Sequence, residues 1–277
     1  MQGLTGQLKK RVKNRDVLIF GAIMDSRSGA VVEMYHDTGY DAIMIDREHT
    51  LLNSETILEH VRLARALGIP CMVRAADDSY HEINRVLDQA PDGIFMPRIH
   101  DRQQAENFVR NVKYPPHGVR GLGASTCPAG KYMGWAKTKD MVDFFDKNLV
   151  VGIQIETAGA LADLDGVLSV PGIDVAVVGN DDLSLGMGIV GELENPKYLD
   201  AVLKVIKTCE KHGVLPGIAC ADPARLRFWK DHGMRLFWAA ADICLMWDAA
   251  RRQISSINDA LAAVKAPPAA PVSTATV

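Results

Sequence analysis

LVVGIQIETAGALADLDGVLSVPGIDVAVVGNDD, residues 149–182, holds one full period of this chain. The near-continuous apolar run 149–156 reads as a strand buried on both faces, 157–168 as an amphipathic helix, and DVAVVG (174–179) as the next strand. Working outward, the same alternation recurs. Strands are expected at 17–22, 41–46, 70–74, 92–97, 214–219 and 235–240, and helices near 28–38, 54–67, 79–90, 102–113, 196–212, 222–232 and 243–263. With the quoted unit this makes eight strands, each with its helix, which is the count that closes a single (β/α)8 TIM barrel of the α/β class. An open doubly wound sheet is the alternative. Asn53-Ser54-Glu55 and Asp222-Pro223 read as helix starts, and Gly39, Gly68, Gly213 and Gly233 fall where helices should stop. Two stretches break the rhythm. The segment 114–147 is too long for a simple connection and reads as a functional loop with an extra helix near 137–147. The small, Pro-rich end is expected to be a disordered tail over 265–277, leaving 1–264 to the barrel.

Composition narrows the function. The chain has 277 residues, 48% hydrophobic, with 31 Lys and Arg against 34 Asp and Glu, for a formal charge of −3. That balance gives no electrostatic footprint for nucleic acid or an anionic membrane, so a small-molecule partner is expected. No apolar run approaches the roughly 18–20 residues that span a bilayer, and the basic N-terminus lacks an apolar signal core, so the chain reads as soluble and cytoplasmic. Its five cysteines, Cys71, Cys127, Cys209, Cys220 and Cys244, are scattered without metal-site spacing and read as reduced packing residues.

In a TIM barrel the active site lies at the C-terminal ends of the strands. There this sequence places Asp46-Arg47-Glu48-His49 after strand two, Arg74 after strand three, Pro97-Arg98 after strand four, Gln154 and Glu156 on strand five, and Asn180-Asp181-Asp182 after strand six. Glu156 and Asp182 end neighbouring strands with no Lys between them. Adjacent carboxylates repel unless a cation or a shared proton sits there, and a hard divalent ion that keeps positions open for water and substrate fits best. A helix cap or an ion pair with Arg74 is the plainer alternative. Arg74 ends an otherwise apolar strand, so its guanidinium should project into the mouth and suit a carboxylate or an enolate oxygen; a salt bridge to Glu48 or Glu156 is compatible with that. His49 follows Asp46 by three residues, close enough for the acid to orient its ring. Imine chemistry is disfavoured because no Lys falls at the inner end of a barrel strand, with Lys131 the reserve. The GxGxxG match at 186–191 follows an acidic loop and opens no apolar helix, so it is rejected as a dinucleotide site. Gly121-Leu122-Gly123-Ala124-Ser125 reads equally as an anion-approaching loop or a turn.

The strings IDREH (45–49), VR (73–74), RGLGAS (120–125), QIET (154–157) and GNDDLSLGMG (179–188), in this order, resemble the HpcH/HpaI class II pyruvate aldolases, with ADPA (221–224) as a further match. The resemblance spans about residues 17–256. It implies a barrel enzyme dependent on a divalent metal (Mg²⁺, Mn²⁺ or Co²⁺) that cleaves 4-hydroxy-2-oxo acids to pyruvate and an aldehyde, or runs the reverse addition. It further implies Glu156 and Asp182 as metal ligands, Arg74 on the pyruvate carboxylate and enolate, His49 with Asp46 as the base dyad, and Gln154, Ser125 and the Asp181–Asp182 loop lining the pocket. Asp88 matches an acidic residue that the family places near a subunit boundary, and the resemblance counts it with the catalytic residues. Hexamers built from dimers that exchange the last barrel helix, here 243–263, are implied as well.

The departures from that pattern gather at the mouth. Arg47 replaces a usual Gly, Thr50-Leu51 a usual Ala-Pro, Asn180-Asp181 a usual Pro-Ala, and Ala240-Ala241-Asp242 a usual Gly-Val-Asp. Arg47 suggests an acidic acceptor, with pairing to Asp181 as the alternative. Oxaloacetate would yield the same enolate by losing CO₂, so decarboxylation is an expected side activity. The rival readings are a malyl- or citryl-CoA-type lyase, a macrophomate-synthase-like or citrate-forming enolate enzyme, and a non-catalytic metabolite-binding barrel.

Overall fold

The computed structural model describes residues 6–265. Eight strands, β1 (Leu18–Ile23), β2 (Ala42–Asp46), β3 (Cys71–Arg74), β4 (Gly93–Met96), β5 (Val150–Ile155), β6 (Val175–Val178), β7 (Leu215–Ala219) and β8 (Leu236–Ala241), close into a barrel in sequence order. All pairs are parallel, including the closing pair of β1 with β8. The closed ring removes the open doubly wound alternative, and the strands lie within a residue or so of their expected positions.

Strand periodicity sorts the core into two layers. Leu18, Phe20, Ala42, Met44, Met72, Phe95, Val150, Val175, Val177, Leu215 and Leu236 fill the barrel interior. The alternate residues, such as Ile43, Ile45, Val73, Ile94, Val151 and Ile153, face the helices. A helix over Gln7–Lys13, unforeseen because only seven residues carry it, adds Leu8 and Val12 to the interior layer. Its buried Lys9 donates to the Leu149 carbonyl at 3.0 Å and pairs with Asp174 at 2.5 Å, beside the starts of β5 and β6.

Helix ends follow local chemistry. Asn53 accepts from the Thr56 N–H and Asp222 from the Arg225 N–H, while Gly68 and Gly213 take the left-handed conformation at helix C-termini. The helix expected over 157–168 is two short ones, Ala158–Ala162 and Leu164–Leu168. It breaks at Asp163, whose carboxylate is drawn out to accept the Arg102 N–H at the start of the helix Arg102–Val112. The extra helix in the long segment is present over Thr138–Asn148. A short helix over Asn180–Gly186, also unforeseen, follows β6 with Asp181 and Asp182 in its first turn, where carboxylates suit the helix dipole.

Asp242 fastens the barrel's seam. Buried to 3% exposure, it accepts the backbone N–H groups of Met24, Asp25 and Ser26 just past β1. The chain divides into two compact units after this residue. The second contains the rest of the helix Asp242–Lys265, along which Leu245, Met246, Trp247, Ile254, Ile257 and Leu261 are exposed. Apart from Lys265, which belongs to this helix, the expected tail lies outside the described residues. Cys71, Cys127 and Cys209 are buried and Cys220 is half-buried, as packing residues should be; Cys244 is exposed and does not fit that reading.

Candidate active site

Alternation along the strands assembles the site. Met44 and Met72 face the interior, so Asp46 and Arg74, two residues further along, face it too, and the register sets them side by side. Val150 points inward on β5, which carries Gln154 and then Glu156 into the same mouth.

Arg74 is the hub. Its Nε donates to Asp46 Oδ1 at 2.6 Å, its Nη1 donates to Gln154 Oε1 at 3.2 Å, and Nη1 lies 3.0 Å from Glu48 Oε2. Burial works against its charge, but Asp46, Glu48 and Glu156 outweigh that and hold the guanidinium more firmly protonated than usual. Gln154 passes the chain of contacts on, donating from Nε2 to Glu156 Oε2 at 2.8 Å. The Trp238 ring lies 5.8 Å from Arg74 Cζ and stands edge-on to Phe95. An aromatic face therefore backs the cation.

Glu156 is 3% exposed, and its carboxyl is pushed up to about 7, mainly by burial and further by the charges of Glu48 and Asp182. The Arg98 N–H, donating to Glu156 Oε1 at 2.6 Å, and Arg74 oppose that rise. Glu48 is also raised, first by burial, with Asp46 and Asp182 adding to it. Three carboxylates thus repel one another inside a partly dry mouth. Gly179, just past β6, permits this packing: a Cβ there would meet Glu156 Oε2 at 2.0 Å. Asp182 receives the Arg98 guanidinium, Nη1 to Oδ1, at 3.1 Å.

Among the described residues no group of three or more His, Cys, Asp or Glu is placed to hold a metal ion. The chemistry of the donor set nevertheless fits a hard divalent ion held by two carboxylates with its other positions left open, because the mutual repulsion of Glu156, Glu48 and Asp182 is what such a cation relieves.

Four expectations change. The Asp46 carboxylate does not orient the His49 ring: Oδ2 accepts the His49 backbone N–H at 3.1 Å, while the ring is 58% exposed with Nε2 3.5 Å from Glu48 Oε2. An acid two or three residues before a loop N–H caps the turn, and Asp46 does so at both Glu48 and His49. Arg47 neither faces the acceptor nor pairs with Asp181. It is tied to Glu82, Nε to Oε1 at 2.7 Å, and to Ser54 Oγ at 3.0 Å. Asp181 and Ser125 are exposed, and among the described residues no side-chain hydrogen bond or ion pair joins either to Arg74, Glu48, Glu156 or Asp182. Asp88 ends the helix Tyr80–Asp88, 3.9 Å from the buried Arg120, and the chain's own fold does not bring it to Arg74 or Glu156. Burial raises its carboxyl, against the pull of Arg120.

Three residues at the site were not picked out from the sequence. Glu48 was visible there only as a salt-bridge partner, and Arg98 only as a strand end. Trp238 was legible from alternation, since it follows inward-facing Leu236 by two. The rejected GxGxxG run ends the helix Asn180–Gly186 and continues through turns, with Gly188 and Gly191 at positive φ, so it opens no phosphate-binding helix. Lys131 lies over the Trp135 ring.

The family model described as HpcH/HpaI aldolase/citrate lyase matches residues 21–235, a range that takes in the Arg74 hub and both carboxylate-bearing strand ends. The chain belongs to this family. It is a carbon–carbon lyase of the aldolase type. A hydroxypyruvate/pyruvate aldolase from Paraburkholderia phytofirmans is 28% identical to this HpcH/HpaI member over 93% of the chain and 100% of the relative. A 4-hydroxy-2-oxo-heptane-1,7-dioate aldolase from Shigella sonnei is 28% identical over 84% of the chain and 88% of the relative. The crystal structure of an HpcH/HpaI aldolase from Desulfitobacterium hafniense superposes with a TM-score of 0.85 at 26% identity, covering 94% of this chain and 97% of that one.

Proposed function

We propose that this HpcH/HpaI member is a divalent-metal-dependent aldolase that cleaves or forms 4-hydroxy-2-oxo acids through a pyruvate enolate, and that it decarboxylates oxaloacetate through the same enolate. The observation that carries the reading is the arrangement of Arg74, held by Asp46 and Gln154, beside the mutually repelling Glu156, Glu48 and Asp182. One fixed cation next to a cation-seeking carboxylate pair suits a substrate that presents a carboxylate and an adjacent oxo group. The names of the two relatives support the same chemistry.

Glu156 and Asp182 would hold Mg²⁺, Mn²⁺ or Co²⁺, which when bound supplies Lewis-acid polarisation of the 2-oxo group. Arg74 binds the substrate carboxylate and stabilises the negative charge that grows on the enolate oxygen; its fixed contacts spare the cost of reorganising at that moment. His49, exposed at the rim beside Glu48, takes the 4-hydroxyl proton. The C3–C4 bond then breaks, its electron pair remains with C3 as the enolate, the aldehyde departs, and protonation at C3 gives pyruvate. Trp238 and Phe95 close the barrel beneath Arg74 and keep water from that side.

The exposed apolar side chains of the C-terminal helix support assembly through exchange of that helix between copies, in dimers that build a hexamer. In such an assembly Asp88 acts across a subunit boundary rather than within its own barrel.

The test is pyruvate release from a 4-hydroxy-2-oxo acid and from oxaloacetate, using protein stripped by chelator and resupplied with each ion. Metal-restored pyruvate above the metal-only blank supports the reading. A folded protein that yields none from either substrate with any ion overturns it.

A further inference from the structure

We propose that Arg98 reads the far end of the substrate and selects 2-oxo acids, and acceptor aldehydes, that carry a second carboxylate. This rests on the aldolase reading above and names the substrate class of the same site.

Three arginines border the mouth, and two are committed. Arg74 is buried and engaged by Asp46, Glu48 and Gln154. Arg47, the residue that the sequence nominates for an acidic acceptor, is locked onto Glu82, with the two side chains only 15% and 10% exposed. Arg98 differs from both. Its side chain is 53% exposed, its Nη1 alone is engaged, by Asp182, and its Nε and Nη2 make no hydrogen bond among the described residues. A guanidinium with one open edge of two N–H donors matches the two oxygens of a carboxylate.

The backbone shows that this placement is held. Arg98 has φ of 52°, in the left-handed region that residues other than glycine adopt only at a cost. The conformation is tied down by the N–H that Arg98 donates to Glu156 at 2.6 Å. One residue thus reaches both carboxylates of the proposed metal pair, through its main chain and its side chain, and leaves its outer edge to solvent. Arg74 is 8% exposed and Arg98 53%, so the first lies deep in the mouth and the second on its solvent side. On this proposal a substrate anchored by its 2-oxo acid end at Arg74 extends toward solvent, and the open edge of Arg98 receives a second carboxylate at its other end.

Two inert probes separate the ends. 2-Oxoglutarate and 2-oxopentanoate have the same carbon chain and the same 2-oxo acid group, and only the first has a far carboxylate; neither has a 4-hydroxyl, so neither is cleaved. Their affinities are measured by titration calorimetry on Mg²⁺-loaded protein. The native protein is expected to bind 2-oxoglutarate about 10- to 100-fold more tightly, the range of a charge-assisted contact. Arg98→Ala abolishes that ratio and Arg98→Lys restores part of it. An unchanged ratio in Arg98→Ala overturns the proposal. So does equal weakening of both acids, which would show Arg98 acting only through Glu156 and Asp182. If the native protein binds neither acid, the 2-oxo acid reading of the site falls and this inference falls with it.

Discussion

Asp46 and Arg74 are register partners on β2 and β3, and the 2.6 Å hydrogen bond from Arg74 Nε to Asp46 Oδ1 joins them at the strand ends. The acid therefore serves the arginine, not the histidine that follows it in sequence. Asp46→Asn keeps the shape but gives up the charge that holds the guanidinium. We expect kcat/KM for a 4-hydroxy-2-oxo acid to fall by about 10²-fold, and Arg74→Ala to cost at least as much. Steady-state kinetics check this. Full activity in Asp46→Asn would return Asp46 to a purely structural part.

Glu156→Gln and Asp182→Asn each remove one charge from the carboxylate pair. Both should abolish metal-restored turnover while circular dichroism shows an intact barrel. Calorimetric titration with Mn²⁺ checks the cause, since binding should weaken in both variants; native affinity in either would count against the pair as ligands.

Gly179→Ala should act through Glu156. The added methyl would lie 2.0 Å from Glu156 Oε2 and displace the carboxylate. A loss of about 10- to 100-fold in Mn²⁺ affinity is expected, the usual scale for disturbing a ligand's support. The expected change in chain stability is smaller than that of a buried ion pair. Native metal affinity would show that Glu156 moves aside at no cost.

Arg47→Ala tests whether Arg47 is structural. Its partner Glu82 would be left uncompensated at 10% exposure, so unfolding free energy should drop by about 3–5 kcal/mol. The ratio of affinities for 2-oxoglutarate and 2-oxopentanoate should stay as in the native protein. A changed ratio with native stability would restore Arg47 to the substrate's side.

Asp92 sets a pH dependence of stability away from the site. Burial pushes its carboxyl up to about 6 from a usual 3.8, against the Cys71 N–H that donates to it. Between those two values the folded chain holds more protons than the unfolded one, so the contribution of Asp92 to stability is greatest below pH 3.8 and is lost as pH rises through about 6. Asp92→Asn should flatten that part of the profile in denaturant titrations between pH 4 and 7. An unchanged slope would rule Asp92 out as its source.

The barrel was legible because eight short apolar runs, each followed by a helix-like segment, leave few other topologies, and strand ends then follow from counting. The inward set on β2, β3 and β5 was legible for the same reason, which is why Arg74, Gln154 and Glu156 lie together as expected. What failed was loop direction. Asp46 stands two and three residues before N–H groups that it caps, but nothing in Asp46-Arg47-Glu48-His49 says that Arg47 turns away to Glu82 or that Glu48 is left facing Arg74. Those outcomes depend on residues 30 or so positions away. Counting placed Arg98 at the mouth but not its role, because a left-handed backbone at a non-glycine residue has no signature in composition or periodicity.

The three N–H groups gathered by Asp242 make closure of the ring a local matter. The clasp that shuts the ring between β8 and the turn after β1 belongs wholly to the barrel side of the division at that residue. All four residues of the clasp, 24–26 and 242, lie in the first unit, so the ring is pinned at its seam by side-chain and backbone groups of the barrel itself. One carboxylate thereby anchors the turn after β1 to the end of β8, and the cylinder's last joint rests on a single side chain.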